Sequence, residues 1–206
     1  MIRRYLLAVC LLMVMQSDGM YIVSSSDQFP TYDLHCAGSI TKAGHSIEPY
    51  QAERDFSAVA KIIKEYAKFL IHHQQLELLL ERLQQTSVTS MSVYRVDGVT
   101  VGFVNIILLE RSFLWYRERY VRLAGIGVAT AYQGLGYGNV LLDYAIAVSR
   151  KLQAATLELE VHRDNSALAW YQSKGFVVES YASDGWISCT LKLKKARYLA
   201  WLFCSV

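Results

Sequence analysis

Hydrophobic and polar positions along the chain switch between a helical and a strand rhythm. Phe56, Val59, Ile63, Tyr66 and Leu70 recur at three- and four-residue steps, which puts one apolar stripe on a helix. Leu76, Leu79, Leu80 and Leu83 repeat that spacing in a second helix. His72-His73 lies between the two. Adjacent histidines cannot share a helix face, so they read as a solvated helix end and not as joint metal ligands. Met91–Val96 and Val99–Leu108 are extended runs flanking Asp97-Gly98, a dipeptide suited to the two left-handed positions of a type I′ hairpin turn. Tyr120–Ala129 is another extended run. A glycine turn then opens a helix from about Asn139 to Lys151, with Val140, Leu141, Tyr144, Ala145 and Val148 at helical spacing. Leu157-Glu158-Leu159-Glu160-Val161 alternates strictly, as a half-buried strand does. A short helix through Ala167, Leu168 and Tyr171 ends at Gly175, and Phe176–Val178 and Trp186–Leu193 read as closing strands. With Ser46–Tyr50 as a first strand, the order predicts one α/β domain built on a single mixed sheet.

Composition narrows the classes. The chain has 206 residues, is 53% hydrophobic and carries a net charge of +3. That suits one globular domain and shows no large basic field for nucleic acid. Cys10, Cys36, Cys189 and Cys204 form no C-x-x-C pair and have no histidine at zinc spacing, so neither a disulfide framework nor a metal site is expected. The ends are less regular. Arg3 and Arg4 precede an apolar run from Tyr5 to Met15, and Ser17 and Gly19 are small residues two apart. Residues 1–19 therefore read as a secretory signal peptide. A true start at Met20 is the competing reading, and it removes the signal. Residues 20–45 read as an irregular lead-in, 46–195 as the folded domain and 196–206 as an apolar tail. The tail, Tyr198 to Phe203 after Lys192, Lys194, Lys195 and Arg197, reads as packing back on the domain or touching a membrane surface or a partner weakly. Arg111, Phe113, Trp115, Tyr116, Arg117, Glu118, Arg119 and Tyr120 read as a mixed-charge loop before the fourth strand, or as a lining for a second substrate.

The chemistry concentrates in Gln133-Gly134-Leu135-Gly136-Tyr137-Gly138-Asn139. This turn joins a strand to a helix N-terminus, where unpaired N–H groups and the positive end of the helix dipole attract an anion. Glycines at 134, 136 and 138 let the backbone approach a pyrophosphate, Tyr137 can shield it and Asn139 can open the helix. A dinucleotide fingerprint would need a third glycine at position 139 or 141, where Asn139 and Leu141 stand. A P-loop would need Gly-Lys-Ser/Thr, which is missing.

The pattern resembles the GNAT superfamily of N-acetyltransferases, whose Gln/Arg-x-x-Gly-x-Gly/Ala signature follows a bulged strand. Gln133, Gly136 and Gly138 match it in register, and Tyr171 to Phe176 is similar to the family's Tyr-x-x-x-Gly-Phe segment. The resemblance covers about 46–195. It implies a mostly antiparallel mixed sheet of about seven strands flanked by about four helices, the acyl-CoA N-acyltransferase fold. It also implies acetyl-CoA as cosubstrate, no metal, and an amine acceptor that is a peptide N-terminus or a small molecule. The pantetheine arm would pair with backbone around Ile126, Gly127 and Val128. The pyrophosphate would sit on residues 134–139, with Asn165 as a further cofactor contact. Tyr171 would protonate the leaving thiolate. Leu159-Glu160-Val161 resembles the fifth strand of the ribosomal-protein N-terminal-alanine acetyltransferases, which makes Glu160 the candidate base; a solvent-facing strand carboxylate is the other reading. Family members usually carry an asparagine seven residues before the tyrosine, where this chain has Asp164, with Asn165 six before. Asn165 as a helix cap is therefore the competing reading, and a non-catalytic acyl-CoA-binding module is the alternative function. Acetyl-CoA use suggests the cytoplasm, and the signal-like N-terminus suggests export.

Overall fold

The computed structural model describes residues 44–70, 73–85, 90–113 and 116–193. The signal-like segment, the lead-in up to 43, His72, Trp115 and the apolar tail lie outside the described residues. Among the described residues, seven strands and four helices follow in the order β1 (His45–Pro49), α1 (Ala52–Leu70), α2 (His73–Gln85), β2 (Met91–Val96), β3 (Val99–Phe113), β4 (Tyr116–Val128), α3 (Tyr137–Lys151), β5 (Thr156–His162), α4 (Ala167–Ser173), β6 (Val177–Tyr181) and β7 (Trp186–Lys192). They form one sheet in the order β1-β2-β3-β4-β5-β7-β6. All neighbours are antiparallel except β4 and β5, which run parallel. This is the mixed sheet the pattern predicts.

Each face of the sheet has its own core. On one face α3 and α4 pack Leu141, Leu142, Ala145, Val148 and Tyr171 against Val104, Val121, Leu123, Leu157, Leu159 and Val161. On the other, α1 and α2 pack Val59, Ile62, Ile63, Leu79, Leu80 and Leu83 against Met91, Val93 and Phe103. The helical stripes and strand alternation read from the sequence are what these layers bury. Asp55, fully buried in the first turn of α1, accepts from the Gln51 amide at 2.9 Å and pairs with Arg95 of β2. That contact locks the start of α1 onto the sheet. Asp97 and Gly98 have φ of +49° and +79°, as the hairpin turn requires, with Val96 paired to Val99.

Two corrections follow. The stretch expected as a mixed-charge loop is largely strand: β3 runs on to Phe113, β4 begins at Tyr116, and the register continues through Ser112↔Arg117 and Phe113↔Tyr116. A run of charges suppresses the apolar alternation by which strands are recognised, yet backbone pairing does not require apolar side chains. The second concerns α3, which starts at Tyr137 and not at Asn139.

Candidate functional site

The site is built where β4 leaves β5. The two strands pair only at Tyr120↔Thr156, Val121↔Leu157 and Arg122↔Glu158 among the described residues. Just beyond, β4 carries an extra residue: Leu123 faces Ile106 and Gly125 faces Asn105, so Ala124 is a bulge. A bulge bends and twists its strand, and from here β4 stays with β3 while β5 stays with β7. The sheet opens between them. The Ala129 amide donates to Val101 of β3, so by strand alternation Gly127 also faces β3. Ile126 and Val128 then turn their peptide groups toward the opening. The Val128 carbonyl is already taken, by the Tyr66 hydroxyl at 2.6 Å and by Gln133 Nε2 at 3.3 Å. The sequence-level grouping of Ile126, Gly127 and Val128 thus divides into three different environments.

Gly127 has a packing task. A Cβ there would stand 2.8 Å from Cε1 of Phe103 and 3.0 Å from Cγ2 of Ile62, and one on Gly125 would stand 3.3 Å from the same ring. The Phe103 ring covers both glycines under α1.

After Val128 a short 3-10 turn, Thr130–Tyr132, leads through Gln133 to Gly134-Leu135-Gly136 and into α3. Gly134 and Gly136 have φ of +76° and +83°, and a Cβ on either would meet nothing within 4 Å among the described residues. Their conformation requires glycine, and the space above them is open. The Gly136 carbonyl accepts the Asn139 and Val140 amides at 3.0 and 3.3 Å. The amides of Gly134, Leu135, Gly136, Tyr137 and Gly138 meet no backbone acceptor among the described residues. No side chain caps α3 either. These N–H groups form an unpaired nest at the positive end of a 15-residue helix.

The side chains of the turn hold it in place. Gln133 Nε2 donates to the Tyr66 hydroxyl at 2.6 Å, and Glu65 Oε2 accepts from the Thr130 amide and hydroxyl at 2.9 and 2.8 Å. Those two hydrogen bonds hold the Glu65 carboxyl below its ordinary range. Tyr137 lies edge-on to Tyr94 at 5.3 Å, with Tyr132 and His45 beside it, so its ring anchors the helix start. Asn139, expected to open α3, instead lies in its first turn and accepts from Trp170 Nε1 at 3.0 Å. Gly138 would carry a Cβ at ordinary contact, 3.6 Å from the Trp170 ring. Leu135 is 60% exposed at the tip.

Tyr171 and Glu160 lie on opposite faces of the sheet: Tyr171 belongs to the core that α3 and α4 form, and Glu160 stands on β5 just past its last pairing with β4. Tyr171 is 7% exposed in the core under α4, with Trp170 at 4.8 Å and Phe176 at 5.6 Å. Burial, and secondly Cys189, pushes its phenol well above the ordinary value, so it stays protonated. Leu159 and Val161 point into that same core, so Glu160 between them points to the other face, opposite Ser188 of β7. Burial raises the Glu160 carboxyl above its ordinary value; Arg122 pulls it down, and Asp184 and Glu158 push it up. Asn165 acts as a cap: its Oδ1 accepts the Ala167 amide at 2.9 Å. Among the described residues no three His, Cys, Asp or Glu side chains gather as a metal site.

Sequence reasoning gave no site role to Glu65, Tyr66 or Trp170. Tyr66 and Gln133 are 67 residues apart, and Trp170 and Asn139 are 31 apart. No local spacing announces such pairs.

A parallel strand pair parted at a bulge, with an unpaired amide nest at the mouth, makes a cleft suited to an extended ligand that ends in an anion. The Acetyltransferase (GNAT) family model matches residues 56–176, and the chain belongs to that family of acyltransferases. Among curated proteins none matches it. It is similar in structure to YncA from Salmonella typhimurium, solved with its cofactor acetyl-CoA, at 19% identity over 75% of this chain and 96% of that one, with a TM-score of 0.57. It is also similar to PaiA N-acetyltransferase from Thermoplasma acidophilum, in complex with coenzyme A (20% identity, 72% and 98% covered, TM-score 0.55). A third is the ribosomal-protein-S18-alanine N-acetyltransferase from Escherichia coli (23% identity, 72% and 94% covered, TM-score 0.52). At these identities the likeness attests the fold.

Proposed function

We propose that the protein moves an acetyl group from acetyl-CoA to a primary amine, a protein N-terminus or a small amine, by direct attack. The observation that carries this reading is the amide nest of residues 134–138 beside the β4–β5 opening, with open space over Gly134 and Gly136. A pyrophosphate suits five unpaired N–H groups at a helix N-terminus. Structural neighbours solved with acetyl-CoA or CoA support the same choice. Acetyl-CoA supplies an activated thioester; the chain's residues do the rest. The Ile126 peptide groups and the Val128 amide pair with the pantetheine arm as an added strand would. Gln133, Thr130 and the Tyr137 ring keep the nest rigid. Asn165 keeps its Nδ2 for the cofactor while its Oδ1 caps α4.

Glu160 takes a proton from the acceptor, since a protonated amine has no lone pair for attack. A carboxyl raised by burial is a better base than an ordinary one once it is ionised. The amine nitrogen then bonds to the acyl carbon, the carbon–sulfur bond breaks, Tyr171 gives its proton to the departing sulfur, and the extra proton on the new amide nitrogen leaves to restore the phenol. With acid and base on opposite faces of the sheet, each would act from a different side of the reacting centre.

Thioester consumption by the purified protein, with a panel of amines and short peptides, tests the reading. CoA release that depends on the amine and falls about 10- to 100-fold in Tyr171→Phe supports it. CoA binding without turnover, indifferent to Tyr171→Phe, points to a non-catalytic acyl-CoA module. Absence of CoA binding sinks both.

A further inference from the structure

The arm formed by β3 and β4 brings a cation to the carboxylate face of β5. Arg111 donates through Nη2 to Glu158 Oε1, and its Cζ lies 4.1 Å from the centre of the Tyr120 ring. Thr156 Oγ1 donates to the same oxygen at 2.9 Å. The guanidinium is thus held by a ring beneath it and a carboxylate beside it. Strand alternation puts Glu158 and Glu160 on one face, but their settings differ. Glu158 stands opposite Arg122, where β4 and β5 still pair, whereas Glu160 stands two residues on, where they have parted.

Resting on the reading of Glu160 as base, we propose that Arg111 is a positioning residue that clamps Glu158 to the closed end of the β4–β5 opening and neutralises it, so that the acceptor's proton goes to Glu160. Two unclamped carboxylates on one strand face would share that proton, and the attacking nitrogen would be drawn to either. The pair is half exposed on the arginine side and adds little to stability; its effect is local and electrostatic. Other groups facing Glu160 are Arg122 on β4, Asp184 between β6 and β7, and His162 on its own strand, with uncharged Ser188 opposite on β7.

The test is the pH dependence of kcat/KM for the full chain with the fastest acceptor of the panel. Arg111→Met keeps the stem on Tyr120 but leaves Glu158 charged beside Glu160, so the acid limb moves up by about half a unit. Glu158→Gln moves it down. The double variant behaves like Glu158→Gln, because Arg111 acts through Glu158, and Arg111→Lys restores most of the wild-type limb. Melting temperatures stay close to wild type throughout. A uniform loss of rate at every pH in Arg111→Met, or the same upward shift in the Glu158→Gln background, overturns the proposal. Glu160→Gln with an unaltered limb removes the base assignment itself, a distinct outcome. Titration of isotope-labelled glutamate carboxyls by NMR reads the same shifts without any acceptor.

Discussion

Two pairs of glycines lie within twelve residues of chain and serve opposite ends. Gly125 and Gly127 keep ordinary strand backbone, and the space their side chains would fill is taken by Phe103 and Ile62. Gly134 and Gly136 have left-handed backbone, and the space beside them holds nothing from the described residues. The first pair completes the α1 face of the core. The second gives up chain contacts, and the amides around it stay unpaired. The lesson is that a glycine's purpose is read from what surrounds its missing Cβ, not from its place in a motif.

Substitutions sharpen that contrast, the largest effect first. Gly127→Val drives a branched side chain into Phe103 and Ile62 and costs about 3 kcal/mol or more in urea unfolding. Phe103→Leu in the same chain recovers part of it, and CoA affinity of the folded fraction stays unchanged. A selective loss of CoA binding at normal stability would instead move Gly127 to the ligand side of the comparison.

Glu160→Gln comes next, at the open end of the cleft. The rate falls about 100-fold, while stability changes the other way. Burial raises the folded-state carboxyl, so the folded chain favours the protonated form. That contribution is present below the ordinary carboxyl value and is lost as pH rises through the raised one. At neutral pH the variant should melt above wild type, and its melting temperature should lose the corresponding slope with pH.

Gly136→Ala places a side chain at φ +83°, a conformation that costs an L-residue about 1–2 kcal/mol. Relaxing it swings the nest amides away, so calorimetric titration should give CoA binding about tenfold weaker. Unaltered binding would mean that the amides of this turn do not hold the phosphates. Gly138→Ala should do least. Its backbone is helical, its Cβ would make ordinary contact with Trp170, and helix propensity favours alanine by up to about 1 kcal/mol. A slight rise in melting temperature with unchanged CoA binding is expected.

Much of this is legible in the sequence. The Asp97-Gly98 hairpin, the alternation through Glu158 and Glu160 and the strand-turn-helix at Gly134–Gly136 depend on φ preferences and on periods of two and 3.6 residues. Each is decided within a few neighbours, so the sequence by itself determined the elements, their order and the turn. Tertiary structure decided the rest. It showed that Gly127 belongs to Phe103, that Gln133 grips Tyr66, and that Asn139 receives Trp170. It also drew β3 and β4 out into an arm through charged residues and set Arg111 on Glu158. These contacts join residues 24 to 67 positions apart. Their pairing depends on strand register and on one bulge at Ala124, quantities fixed by the whole sheet closing at once and carried by no local pattern.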